Sequence, residues 1–169
     1  MVRLIKPSAK YKETYLLAER ELQKEGRHKE FKLDELRKNF SKFIRKLKDD
    51  EKGKKLPKGY VPVSTFWLIA DEEFIGFLTI RHRLNKNLKR LGGNVGYVIR
   101  PSKRNKGYGT EILRLGLLKA KRRGLKRVLV TCDDDNIGSW KIIEANGGIL
   151  HRKLRYKGKL IRHYWIKIK

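Results

Sequence analysis

Apolar positions recur along the chain at two spacings, and the changes between them mark out the elements. Tyr11, Tyr15, Ala18 and Leu22 fall every three or four residues, which predicts a helix that Ser8 can cap and Gly26 can stop. Leu33, Leu36, Phe40, Phe43, Ile44 and Leu47 keep that period and predict a second helix. Residues 49–59 are charged and carry Gly53, Pro57 and Gly59, so they read as a loop. The pattern then becomes β-branched and aromatic. Residues 63–70 and 74–81, parted by Asp71-Glu72-Glu73, predict a hairpin. A loop over 85–93 leads to a strand over 94–100, which Pro101 ends. Ile112, Leu113, Leu117 and Ala120 predict a helix from Gly107 to about Arg123, stopped by Gly124. An apolar strand over 127–132 follows, then a helix over 136–146 closed by Gly147-Gly148. Two last strands, 149–156 and 160–168, flank a Lys157-Gly158-Lys159 turn. With a short strand over 2–5 in front, the order is β-α-α-β-β-β-α-β-α-β-β, an α/β chain. Neither side of the 49–59 loop makes a sensible unit alone, so residues 1–169 are expected to form one domain.

Charge adds a constraint that the pattern does not. Forty-four Lys and Arg face 18 Asp and Glu, for a net charge of +26; a small soluble domain usually carries a net charge of about 2–8 in magnitude. The excess is densest over 103–127 and 152–169, and the second stretch holds no acid. Such a field attracts polyanions, whether coenzyme A phosphates, RNA or an acidic surface. It disfavours a polycationic acceptor unless acids line the site. A lysine-rich composition, or a surface engineered for charge, accounts for the total equally well. No apolar run approaches the roughly 18 residues of a membrane span, and Met1–Pro7 has no secretory core. Cys132 is alone and has no disulfide partner within the chain. A cytoplasmic protein without a membrane association is the expectation. His28, His82, His151 and His163 show no ligand spacing among themselves or with Cys132, so no metal is expected.

The most informative stretch runs Tyr97-Val98-Ile99-Arg100-Pro101-Ser102-Lys103-Arg104-Asn105-Lys106-Gly107-Tyr108-Gly109-Thr110. It reads as a strand, a basic turn, and two glycines opening a helix. The first N–H groups of a helix lack partners within it, the dipole adds about half a positive charge there, and glycine lets an anion approach the backbone. A P-loop is excluded, because Gly-Lys-Ser/Thr does not follow four spacer residues. A dinucleotide fingerprint fails at its third glycine, where Ile112 stands, although Asp133 ends the next strand where a ribose-binding acid belongs.

Arg104-Asn105-Lys106-Gly107-Tyr108-Gly109 resembles the R/Q-x-x-G-x-G/A signature of the GNAT N-acetyltransferases. The stretch from Asn136-Ile137-Gly138-Ser139 to Gly147-Gly148 is similar to the family's second coenzyme element. The motifs Ile80-Arg81-His82-Arg83-Leu84-Asn85, Gly96-Tyr97-Val98-Ile99-Arg100-Pro101 and Tyr164-Trp165-Ile166 further resemble a subgroup of predicted acetyltransferases without a settled substrate. The resemblance covers essentially the whole chain. It implies a mixed, mostly antiparallel sheet with a splayed strand pair, and acetyl-CoA as cosubstrate.

On that resemblance, Tyr97, Val98 and Ile99 would pair with the pantetheine arm. Arg104, Asn105, Lys106, Gly107, Tyr108, Gly109 and Thr110 would hold the pyrophosphate. Asn136 and Ser139 would face the pantetheine or thioester; a plain helix cap and a small packing residue are their structural alternatives. The tyrosine that often protonates the leaving thiolate falls on Ile143, which has no proton to give. Catalytic expectations therefore rest on His82 and the acids Asp133, Asp134 and Asp135 as candidate bases, with Asp133 foremost, and on Tyr164 as acid, with Tyr97 as a further hydroxyl; each also has an ordinary structural reading. The implied activity is direct transfer of an acetyl group to an amine. The alternative is a catalytically weak fold module holding coenzyme A or RNA on its basic surface. Many family members pair through their last strands, so a homodimer is compatible.

Overall fold

The computed structural model describes residues Met1–Lys169. Strand β1 (Val2–Ile5) precedes helices α1 (Lys12–Lys24), α2 (Leu33–Lys38) and α3 (Phe40–Glu51). Strands β2 (Val63–Ala70) and β3 (Glu73–Arg81), helix α4 (Lys86–Arg90) and strand β4 (Val95–Ile99) follow. Helix α5 (Tyr108–Arg122), strand β5 (Arg127–Asp133), helix α6 (Ile137–Ala145) and strands β6 (Gly148–Tyr156) and β7 (Lys159–Lys167) complete the chain.

Two local features depart from the periodicity reading. The second predicted helix is two helices, broken at Asn39. That residue leaves the helical conformation (φ −105°, ψ 27°), and its amide donates to the Glu35 carbonyl at 3.1 Å, closing α2 before α3 begins. The predicted 85–93 loop contains α4, capped by Asn85, whose side chain accepts from the Leu88 N–H at 2.9 Å. Ser8 caps a short 3₁₀ turn over Ala9–Tyr11 that leads into α1.

One seven-stranded sheet runs β1-β2-β3-β4-β5-β7-β6. Every neighbouring pair is antiparallel except β4 and β5. Alternation along the strands sends side chains to two cores. Leu68, Leu78, Val130 and Tyr164 pack with Ile112, Leu113 and Ala120 of α5. Trp67, Ile69 and Phe74 pack with Tyr11, Tyr15 and Ala18 of the first helical stretch and Phe40 and Ile44 of α3. The stacked Tyr15 and Trp67 rings lie 4.7 Å apart at that second core's centre. No helix is long and apolar enough to cross a membrane.

The parallel pair positions the site. β4 and β5 pair only where Val95 lies opposite Val130. Beyond that point they diverge, and the β4 edge from Tyr97 to Ile99 is left out of the ladder.

Candidate active site

At the open end of β4 the chain makes a 3₁₀ turn over Pro101–Lys103 and then enters α5. Asn105 (φ +59°) and Gly107 (φ +79°) adopt left-handed backbone. At Gly107 this allows the chain to swing into the helix, and nothing lies within 4 Å of where its Cβ would be. Gly107 is the N-cap of α5 and supplies no side-chain cap. None of the six N–H groups from Asn105 to Thr110 has an acceptor within the protein. They lie at a helix N-terminus, with the dipole behind them, and Lys106 is exposed beside them. Thr110 is exposed too, and its carbonyl accepts from the Asn146 amide at 3.2 Å.

The turn is strapped to the end of α1. Glu21 accepts from the Ser102 N–H at 3.1 Å and its hydroxyl at 2.9 Å, and it pairs with the buried guanidinium of Arg100. Glu25 takes both ends of the Arg104 fork, at 2.8 and 2.9 Å. Arg104 also donates from Nε to the Ile99 carbonyl at 3.1 Å. Burial alone would raise the Glu21 pKa, but hydrogen bonds from Arg100 and Ser102 outweigh it and hold the carboxyl below its usual value. Glu21 and Glu25 escaped the sequence reading because they act across 79 residues of chain or more.

Between the free edge of β4, the phosphate turn and α6 lies a cleft of about 290 Å³. Tyr97, Val98, Ile99, Arg104, Asn105, Gly109, Asn136 and Ser139, all expected from the sequence, line it together with Arg27, Gly138 and Ile142. The latter three were not foreseen; Ile142 differs from its neighbour Ile143 only in which side of α6 it takes. A Cβ on Gly109 would collide with the Ile142 side chain, so glycine there sets how closely α5 and α6 approach. Asn136 does cap α6, accepting from the Ser139 N–H at 3.0 Å, and it also lines the cleft. The Tyr97 hydroxyl meets the Ser139 Oγ at 3.1 Å and donates to the Ser139 carbonyl at 3.2 Å. Burial pushes the Tyr97 hydroxyl up to about 12, so it stays protonated through the neutral range. Cys132 lies nearby with its thiol pushed up to about 11 by burial, which makes it a poor nucleophile.

The three side chains foremost among those expected from the sequence to catalyse are not gathered at this cleft. His82 bonds the Ser64 hydroxyl at 2.9 Å and meets Arg123 at 3.2 Å, in a network with Glu51. Burial and then Arg123 hold its imidazole below the ordinary value. Its strand neighbour Ile80 pairs with Val95, whereas Gly76 pairs with Ile99, so His82 lies toward the opposite end of β3 from the phosphate turn. Tyr164 is buried in the core; its hydroxyl donates to Glu144 at 2.8 Å and accepts from Arg162 at 3.2 Å. Asp133 ends β5 and pairs with Lys159 at 3.1 Å. Ile143 is fully buried in the core. Tyr108 packs against that core, and Lys106 and Gly107 form the exposed outer side of the turn.

A model of the GNAT acetyltransferase domain matches residues 2–149. The chain belongs to the GNAT acetyltransferase family. It is, on that membership, an acyl-CoA-dependent acetyltransferase. No curated protein sequence matches it. Among solved structures, RimL, a ribosomal L7/L12 alpha-N-protein acetyltransferase in complex with coenzyme A, superposes with a TM-score of 0.72 at 16% identity, over 99% of this chain and 94% of that one. The microcin C7 self-immunity acetyltransferase MccE, in complex with acetyl-CoA and AMP, gives 0.73 at 17%, over 99% and 92%. An N-acetyltransferase from Staphylococcus aureus Mu50 gives 0.69 at 14%, over 100% and 99%. At these identities the likeness carries the fold. The splayed pair and the glycine-opened helix of this GNAT chain thus sit in a fold shared along its whole length.

Proposed function

We propose that this acetyltransferase binds acetyl-CoA in the cleft between β4 and α6 and passes the acetyl group directly to an amine. The observation that carries the reading is the run of six N–H groups without protein acceptors, Asn105 to Thr110, at the mouth of that cleft. The donor set fits a pyrophosphate: backbone N–H groups, a helix N-terminus, and the cations of Arg104 and Lys106. The cosubstrate supplies an activated thioester.

The chain's own groups then have distinct tasks. The free edge of Tyr97–Ile99 extends the sheet by one strand along the pantetheine arm. The hydrogen-bond register turns the Ile99 N–H toward β5, where it can donate to the thioester carbonyl as negative charge develops there. The amine nitrogen forms a bond to the carbonyl carbon, the carbon–sulfur bond breaks, and sulfur leaves with the electron pair. That sulfur needs a proton, and the amine must lose one. The paired hydroxyls of Ser139 and Tyr97 are the proton source in the cleft wall. No carboxylate or imidazole lines the cleft, so the amine enters neutral or yields its proton to water. Titration of acetyl-CoA into the protein tests the reading: saturable one-site binding is expected, and its absence in folded protein would overturn it.

A further inference from the structure

On the face of the sheet away from α5 lies a second cavity of about 480 Å³. Tyr60, Val61, Val63 and Leu88 give it apolar walls, and Thr79 and Arg81 of β3 form part of its lining. Arg81 is half-buried and has no carboxylate partner, whereas Arg100, Arg104, Arg123 and Arg162 each have one. Its Nη1 is pinned to the carbonyls of Gly92 and Gly93, at 3.2 and 3.3 Å, which leaves Nε and Nη2 without protein acceptors. A cation partly withdrawn from water without a counter-ion carries a cost, and an arriving anion relieves it. Burial accordingly lowers the Arg81 pKa.

The β3 residues of this cavity border β4, the strand that also lines the coenzyme cleft. Arg81 lies beside Gly96 of β4: a Cβ there would sit 3.8 Å from Nη1. Gly96 shares its sheet face with Val98, two residues on, which lines the coenzyme cleft. Two residues of strand span about 7 Å. Gly96 has no side chain to close the gap between the two sites.

We propose that this cavity is the acceptor's anion subsite: it takes an α-amino acceptor carrying an oxyanion about 7–10 Å from the amine, the span of the two to three strand residues from Gly96 to Val98 and Ile99, and that oxyanion pairs with the free edge of the Arg81 guanidinium. The inference rests on the acetyl-transfer reading for which site the amine must reach. A carboxylate in the second residue of a peptide meets the spacing, and so does a phosphate carried at that position. The apolar walls fit the remainder of such a side chain and the residue after it. An amine without an anion leaves Arg81 unpaired.

The test is equilibrium titration of three peptides, Ala-Glu-amide, Ala-Gln-amide and Ala-phosphoserine-amide, into protein saturated with coenzyme A, which cannot donate an acetyl group. Ala-Glu-amide is expected to bind about tenfold tighter than Ala-Gln-amide, and Arg81→Gln to bring that ratio close to one. Arg81→Lys, which keeps the charge but loses the fork, should retain part of it. A phosphoserine peptide binding tighter still assigns phosphate as the oxyanion source; the reverse order assigns carboxylate. Equal binding of the Glu and Gln peptides, or a preference that survives Arg81→Gln, would overturn the proposal. Coenzyme affinity of each variant reports whether it folds. If coenzyme does not bind at all, the acetyl-transfer reading fails, and titration of the peptides into the protein alone still reads the subsite.

Discussion

Gly107→Glu puts an anion where the pyrophosphate is read to lie, and the structure lets its effects be separated. Nothing lies within 4 Å of the new Cβ, so the substitution meets no steric barrier. The backbone at φ +79° is unfavourable for an L side chain and costs about 1 kcal/mol of stability. Gly107→Ala carries that same cost without charge. A carboxylate about 5 Å from a doubly charged pyrophosphate is opposed by about 2 kcal/mol in water and about 7 kcal/mol at the effective dielectric of a protein surface. Gly107 is exposed and salt screens the interaction, so the lower value applies. Acetyl-CoA should therefore bind about 30-fold more weakly to Gly107→Glu than to Gly107→Ala. The difference should shrink as salt rises. Calorimetric titration of both variants reads the ratio, and urea unfolding checks that both are folded. Equal affinity in the two folded variants would refute a phosphate site at this turn.

Four further outcomes follow from the same geometry. Ser139→Ala and Tyr97→Phe should each lower kcat about tenfold, and the double variant little further because the two hydroxyls act as one proton source, with little change in coenzyme affinity; steady-state rates with coenzyme titration check this. Glu25→Gln should tighten acetyl-CoA binding severalfold, because the carboxylate competes with phosphate for the Arg104 fork; titration against wild type reads it. Glu21 is held below its usual carboxyl value, so the stability it contributes is fully present above about pH 4.5 and is lost as pH falls through the lowered folded value. Urea midpoints measured from pH 6 to 3 should show that loss, and Glu21→Gln should flatten it. His82→Ala should reduce stability by about 1 kcal/mol, through its bond to Ser64, and leave kcat unchanged.

What the sequence made legible divides by range. The phosphate turn is contiguous: Arg104, Gly107 and Gly109 state their own geometry, because glycine and a following apolar period specify a turn into a helix. The strands and major helices were likewise written in local periodicity. The break at Asn39 was hidden because Leu36 and Phe40 keep helical spacing across it, and only a side-chain bond back to Glu35 reveals it. Helix α4 was hidden because a five-residue helix with one apolar residue, Leu88, has no period to read. The cleft wall was half visible: Asn136 and Ser139 follow from the motif, but the pairing of Ser139 with Tyr97 joins residues 42 apart. His82 and Asp133 stand out by residue type at a strand end, and Tyr164 by residue type on the last strand. Type does not tell which end of a strand, or which face of the sheet, a side chain occupies.

The most direct test of the whole account is a single-turnover reaction of the protein with acetyl-CoA and a short peptide bearing a free α-amino group, following coenzyme thiol release and the mass of the peptide together. The account predicts one acetyl group on the peptide's amino terminus for each thiol released, and, at sub-saturating acetyl-CoA, about 30-fold slower release in Gly107→Glu than in Gly107→Ala. Coenzyme that binds while no peptide becomes acetylated, or thiol released by water alone, would contradict it.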